Sequence, residues 1–149
     1  MTEVRRAGPP DLDTIVAIER ACFGETNGGF SRRQIRRLLA NPLAYWRMID
    51  DKAVACWLRV TNGRTTWARL YSLAVDPKVR GRGLATKLLD DGFQWITSEK
   101  LTRCFAEVAA ANQGALNLYH RHGFKKRALL PNYYGLGRDG ISLVKILPD

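Results

Sequence analysis

The chain has 149 residues, 46% hydrophobic and 26% charged, a size and balance that suit one soluble globular domain with a real core. Lys, Arg or Asp interrupts every apolar run, which excludes a transmembrane helix, and no apolar run follows the first six residues, so no signal peptide and a cytoplasmic location are expected. The formal net charge of +10 favours polyanionic partners such as nucleic acid, ribosomes or a phosphate-rich cofactor, while three widely spaced cysteines (Cys22, Cys56 and Cys104) without a CxxC argue against zinc or a disulfide framework.

Val4 to Ala7 reads as a short edge strand, broken by Gly8-Pro9-Pro10. Leu12, Ile15, Ile18 and Cys22 then recur near helical spacing, with Asp11 and Asp13 in the first turn where the helix dipole favours them. Gly24 to Gly29 is a loop, and Ser31 caps a second helix through Leu39. Ile35, Leu38 and Leu39 form its buried stripe; Arg32, Arg33, Arg36 and Arg37 share the other face, toward either solvent or a substrate cleft. Three antiparallel strands follow, Ala44 to Ile49, Ala53 to Val60 and Thr66 to Val75, joined at Asp50-Asp51 and at the hairpin dipeptide Asn62-Gly63. The third carries apolar residues on both faces and should be central.

Leu84, Leu88, Leu89, Phe93 and Ile96 mark the next helix, and Phe105 to Ala109 the next strand. Asn112 can cap a helix with Ala115, Leu118, Tyr119 and His122 on its buried side, ended by Gly123. Phe124 to Leu130 and Ile141 to Leu147 are final strands around a loop, Pro131 to Gly140. The order β-α-α-β-β-β-α-β-α-β-β predicts one α+β domain over residues 1–149, with a mixed, mostly antiparallel sheet of about seven strands flanked by about four helices. The helix between Thr66–Val75 and Phe105–Ala109 calls for a parallel crossover there.

One stretch organises the rest. Leu73-Ala74-Val75 ends a buried strand, Asp76-Pro77 breaks it, and Lys78-Val79-Arg80-Gly81-Arg82-Gly83 leads into the helix at Leu84-Ala85. A Gly-rich turn at a helix N-terminus directs backbone N–H groups and the positive end of the dipole outward, which suits a phosphorylated ligand. Thr86 stands where a dinucleotide fingerprint needs Gly or Ala, and the G-K-[ST] of a Walker loop is absent.

Here the chain resembles the GNAT N-acetyltransferases. Arg80, Gly83 and Ala85 fit that superfamily's acetyl-coenzyme A signature, Arg/Gln-x-x-Gly-x-Gly/Ala. Asn112, Leu118-Tyr119 and Gly123-Phe124 resemble its second block. Pro131-Asn132-Tyr133-Tyr134 is similar to the RimI-type protein N-terminal acetyltransferases, although Ala109 stands where that subfamily usually has Arg. The resemblance implies a GNAT fold and acetyl-coenzyme A as donor, with no metal. Val79, Arg80, Gly81, Arg82, Gly83, Leu84 and Ala85 would hold the pyrophosphate. Leu73, Ala74 and Val75 would pair with the pantetheine arm, and Asn112 and Tyr119 would also contact the donor. Glu107 would be the general base, Tyr119 the general acid, and Phe30, Arg33, Tyr133 and Tyr134 would bind the acceptor. A protein N-terminus, of the ribosomal-protein type, is the implied partner.

The chemistry is consistent with that assignment. An α-amine with a pKa of about 8 is roughly one-tenth neutral at pH 7, whereas a lysine amine at about 10.4 is less than about one part in a thousand neutral, a gap of about 3 kcal/mol. A carboxylate acting through water therefore suits an α-amine. Two alternatives remain at this stage: acetylation of a small amine (a polyamine, amino acid or drug), and a non-enzymatic basic module that binds nucleic acid. Residue by residue, Glu107 can also be read as a salt-bridged surface group, Tyr119 as a core aromatic, His122 as a packed helix end, and the tyrosine pair as a loop rim.

Overall fold

The structure, a computed structural model, describes residues 3–24 and 30–148. Most of the expected Gly24–Gly29 loop, residues 25–29, lies outside the described residues. The strands are β1 (Val4–Arg6), β2 (Ala44–Ile49), β3 (Ala53–Asn62), β4 (Thr65–Val75), β5 (Arg103–Ala109), β6 (Lys125–Leu130) and β7 (Gly140–Ile146). The helices are α1 (Leu12–Phe23), α2 (Arg32–Leu39), α3 (Leu84–Ser98) and α4 (Gln113–Arg121). One sheet runs in the order β1-β2-β3-β4-β5-β7-β6. Only β4 and β5 pair in parallel, across the α3 crossover, so the mixed, mostly antiparallel sheet expected from the element order is what forms.

Apolar periodicity divides the core into two layers. On one face, Ile15 and Ile18 of α1 and Ile35 of α2 pack against Trp46, Met48, Val54, Cys56 and Ala74. On the other, Leu88, Leu89 and Ile96 of α3 and Tyr119 of α4 pack against Ala55, Trp57, Leu70, Ala106 and Leu143. Ser31 caps α2 as expected, accepting from Gln34 N–H while the Gln34 side chain returns to Ser31 N–H. The four α2 arginines are exposed, and Arg32 pairs with Asp13 of α1. None of the four lines the cleft that opens between β4 and β5.

The β3–β4 hairpin turns one residue later than Asn62-Gly63 suggests. Asn62 pairs with Thr65, leaving Gly63-Arg64 as the loop, with Gly63 at φ 63° in the first central position. Gly92 is fixed by a different need. A Cβ there would lie 1.9 Å from the ring of fully buried Trp57, so the missing side chain lets α3 lie flat on β3.

The register between β3 and β4 shifts once. Cys56 faces Ser72 and Trp57 faces Leu70, so Tyr71 is an extra residue in β4. An added residue reverses which face each later side chain meets. Ala68 and Leu70 accordingly join the layer under α3, whereas Ala74 joins the layer under α1 and α2, and Leu73 and Val75 take over the α3 side. Ser72 then donates to Glu19 of α1, a carboxyl only 1% exposed, whose second oxygen has no hydrogen-bond partner among the described residues. Burial pushes the Glu19 carboxyl up to about 7, against the opposing pull of the Ser72 hydroxyl.

Two outcomes follow from this packing. The folded chain holds the Glu19 proton to higher pH than the unfolded chain, so stability falls as pH rises from about 4.5 to about 7 and then levels. Glu19→Gln should therefore raise the urea midpoint at pH 8 by an amount equivalent to about 3 kcal/mol, with the gain vanishing near pH 4. Gly92→Ala should destabilise by about 1–3 kcal/mol in the same assay, because its Cβ would overlap the ring of fully buried Trp57.

Candidate functional site

The bulge coincides with a parting of two strands. β4 and β5 pair only at Ala68–Cys104, Arg69–Phe105 and Leu70–Ala106. Beyond Leu70, β4 continues to Val75 and beyond Ala106, β5 continues to Ala109, now bonded only to β7. The wedge between them opens into a cleft of about 630 Å³ whose walls include Leu73, Val75, Glu107, Asn112 and Tyr119. Asp76 N–H donates to Lys52 on the β3 side. Strand alternation turns the main-chain groups of Leu73 and Val75 to the opposite edge, toward the wedge. The Val75 carbonyl accepts there from Cys22 Sγ at 2.9 Å and from Arg80 Nε at 3.4 Å.

The floor of the cleft is the Gly-rich loop. The Asp76 carboxylate accepts from Lys78 N–H and starts a single 3-10 turn, Pro77–Val79. Gly81 and Gly83 take φ of 83° and 77°, and a Cβ on either would meet nothing within 4 Å. The requirement for glycine visible here is the left-handed backbone rather than a lack of room. Gly83 caps α3 without a side-chain acceptor, so the first N–H groups of that helix face the cleft uncapped. Together with the dipole they make a place suited to an anion.

At the other end lies a polar mouth. Glu107 forms an ion pair with Arg69, whose guanidinium also donates to the Tyr133 hydroxyl at 3.3 Å and lies 4.3 Å from the centre of the Tyr71 ring. Tyr133 in turn donates to Glu107 at 3.5 Å. Phe30 packs on Tyr71, and Tyr133 meets Tyr134 edge-on at 4.9 Å. The loop carrying these tyrosines is tied internally: Asn132 Oδ1 accepts from Gly137 N–H, and Asp139 accepts from Asn132 N–H. Burial pushes the Tyr134 phenol up to about 12.

Tyr119 is 7% exposed and packs edge-on against Phe124 at 5.3 Å. Burial raises its phenol well above the ordinary range, so it stays protonated and keeps its O–H as a donor. The Asn112 side chain caps α4 by accepting from Ala115 N–H. His122 ends that helix, 3.2 Å from the Thr86 hydroxyl, with its carbonyl held by Lys145 Nζ at 2.6 Å, the arrangement of a packed helix end. Burial raises the Cys22, Cys56 and Cys104 thiols, so none is an activated nucleophile.

Most of the expected residues therefore gather around one cleft. Leu73, Ala74, Val75, Val79, Arg80, Gly81, Gly83, Leu84, Ala85, Glu107, Asn112, Tyr119, Phe30 and Tyr134 line it. Arg82 and Arg33 are exposed, and neither belongs to the lining; Tyr133 borders it through Glu107. Sequence reasoning missed Arg69, Tyr71, Ser72 and Thr86. Arg69 was the detectable one, as a cation inside a strand otherwise suited to burial on both faces.

The sequence profile of the Acetyltransferase (GNAT) family matches residues 12–124. An N-alpha-acetyltransferase of Saccharolobus solfataricus is 27% identical over 97% of this chain and 92% of its own length. A ribosomal-protein alanine N-acetyltransferase of Salmonella typhimurium is 34% identical over 57% of this chain and 56% of its length. A mycothiol acetyltransferase of Acidimicrobium ferrooxidans is 29% identical over 78% of this chain, which spans only 34% of it. The crystal structure of the ribosomal-protein-alanine N-acetyltransferase from Escherichia coli superposes with a TM-score of 0.86 over 100% of this chain and 96% of that one, at 21% identity. With a profile match from α1 to the start of β6 and the same mixed sheet, the chain belongs to the GNAT acetyltransferase family.

Proposed function

We propose that this acetyltransferase moves the acetyl group of acetyl-coenzyme A to a protein N-terminal α-amine, of the ribosomal-protein type, by direct attack in a ternary complex. The observation that carries the proposal is that one cleft joins an uncapped helix N-terminus, a strand edge that no other strand pairs, a carboxylate and a protonated phenol. The names of the Saccharolobus and Salmonella relatives support a protein α-amine as acceptor.

In this reading the N–H groups from Val79 to Ala85 hold the pyrophosphate, and the Leu73 and Val75 main chain extends the pantetheine arm as an added strand. The amine nitrogen attacks the thioester carbonyl carbon. The C–N bond forms, and a backbone N–H near Leu73 stabilises the oxyanion. The C–S bond then breaks, and the coenzyme leaves as a thiolate that takes its proton from Tyr119. The proton lost by the amine passes through a water to Glu107. Arg69 and Tyr133 hold the carboxylate in place, so its lone pairs are aimed before substrate arrives.

A free-thiol release assay against N-terminal peptides, lysine peptides and small amines tests the acceptor. N-terminal peptides should be turned over at least about tenfold faster than lysine peptides, given the difference in neutral amine. Equal or faster turnover of a small amine would move the assignment toward the mycothiol acetyltransferase relatives. Tyr119→Phe should lower kcat about 100-fold while donor affinity stays within about twofold. Wild-type turnover in that variant would remove the acid role. Glu107→Gln should lower the rate most at low pH, where neutral amine is scarce.

A further inference from the structure

The half of the sheet beyond α1 and α2 has one face that neither core layer covers. Strand pairing sets Val60 opposite Trp67, Arg69 beside Phe105, Phe105 opposite Val144, and Arg103 opposite Ile146. Trp67, Phe105, Val144 and Ile146 belong to neither core cluster, and Ile146 is 67% exposed. Trp67 and Phe105 meet edge-on at 6.1 Å, and the Arg127 guanidinium lies 5.2 Å from the Phe105 ring centre. Lys125, opposite Val144, and Arg103 complete the set. Among the described residues, Arg103, Lys125 and Arg127 have no carboxylate partner, and the face's one acid, Glu107, is already paired with Arg69.

From this surface we infer that single-stranded RNA docks along the open face of β4, β5, β7 and β6, separately from the acetyl-transfer chemistry. Two half-buried aromatic rings on a sheet, Trp67 and Phe105, with the Arg127 guanidinium on Phe105, give edges on which unpaired bases can stack, with Arg103, Lys125 and Arg127 placed for the phosphates between them. The chain's +10 charge brings a polyanion to the surface. The same charge disfavours a second copy of the chain here, because a two-fold contact would bring Arg103, Lys125 and Arg127 of both copies together without counter-charge. Duplex DNA offers phosphates but keeps its bases stacked inside, whereas RNA presents unpaired bases in loops and ends. The face runs through Arg69 and Glu107 into the mouth of the cleft, so bound RNA lies beside whatever amine enters there.

Fluorescence anisotropy with a labelled twelve-nucleotide RNA of mixed sequence, at low salt, tests the inference. Three phosphate contacts give a log–log salt slope of about −2, a weakening of about 16-fold between 50 and 200 mM salt. Arg103→Glu with Arg127→Glu should raise Kd at least about tenfold, and Trp67→Leu, which keeps apolar bulk, should weaken binding about fivefold. In the charge-reversed variant, thiol release from acetyl-coenzyme A with a short peptide acceptor and the melting temperature should both stay at wild-type values. RNA affinity unchanged in these variants would overturn the inference. So would duplex DNA bound as tightly as the RNA and insensitive to Trp67→Leu, since that is phosphate attraction alone. Light scattering that shows a dimer dissociated by the charge reversal would assign the face to self-association instead.

Discussion

One inserted residue in a central strand governs the molecule. With Tyr71 as a bulge, β4 twists away from β5 just where their parallel pairing ends, at Leu70 and Ala106. The parting leaves, among the described residues, a strand edge without a strand partner in the middle of the sheet, a place where backbone groups are otherwise paired. It also reverses the facing of β4, so that Leu73 and Val75 reach the α3 layer while Ser72 reaches Glu19. An edge in this position suits an extended ligand with alternating donors and acceptors, and the loop after Val75 ends it at an anion site.

The anion site depends on α3 being rigid. Its N-terminus carries Gly83 in the left-handed region with no side-chain cap, a local cost that the rest of the helix offsets. Leu84, Leu88, Leu89 and Ile96 bury one stripe, and Gly92 brings the helix against Trp57. The uncapped N–H groups are thus held toward the cleft by core packing fifteen residues long, rather than by anything in the loop itself.

Local order was legible in the chain because it is local. Ser31, Asn112 and the apolar spacings set every helix, and Gly81 and Gly83 announced the loop. The bulge was not legible, since apolar residues on both faces of β4 hide the break at Leu70-Tyr71, and the extra residue shows only in the register against β3. β7 inserts between β5 and β6, a long-range pairing that no window of sequence carries. The hairpin turned at Gly63-Arg64 because pairing continued to Asn62, which a dipeptide signal cannot weigh. Glu19, given no role from the sequence, lies buried beneath β4, where Ser72 meets it. Arg33, which the resemblance placed at the acceptor, is exposed and outside the lining of the cleft.

Two carboxyl groups flank the same bulge and live under opposite conditions. Glu19 meets one hydroxyl and apolar side chains, so desolvation controls it and its protonated form is favoured. Glu107 meets a guanidinium and a phenol at the mouth of the cleft. The ion pair with Arg69 and the Tyr133 hydroxyl fix where the carboxylate points. The geometry of the strand and that of the mouth are therefore linked: Arg69 precedes the bulge and Tyr71 is the bulge, and the ring of Tyr71 carries the guanidinium that pairs with Glu107.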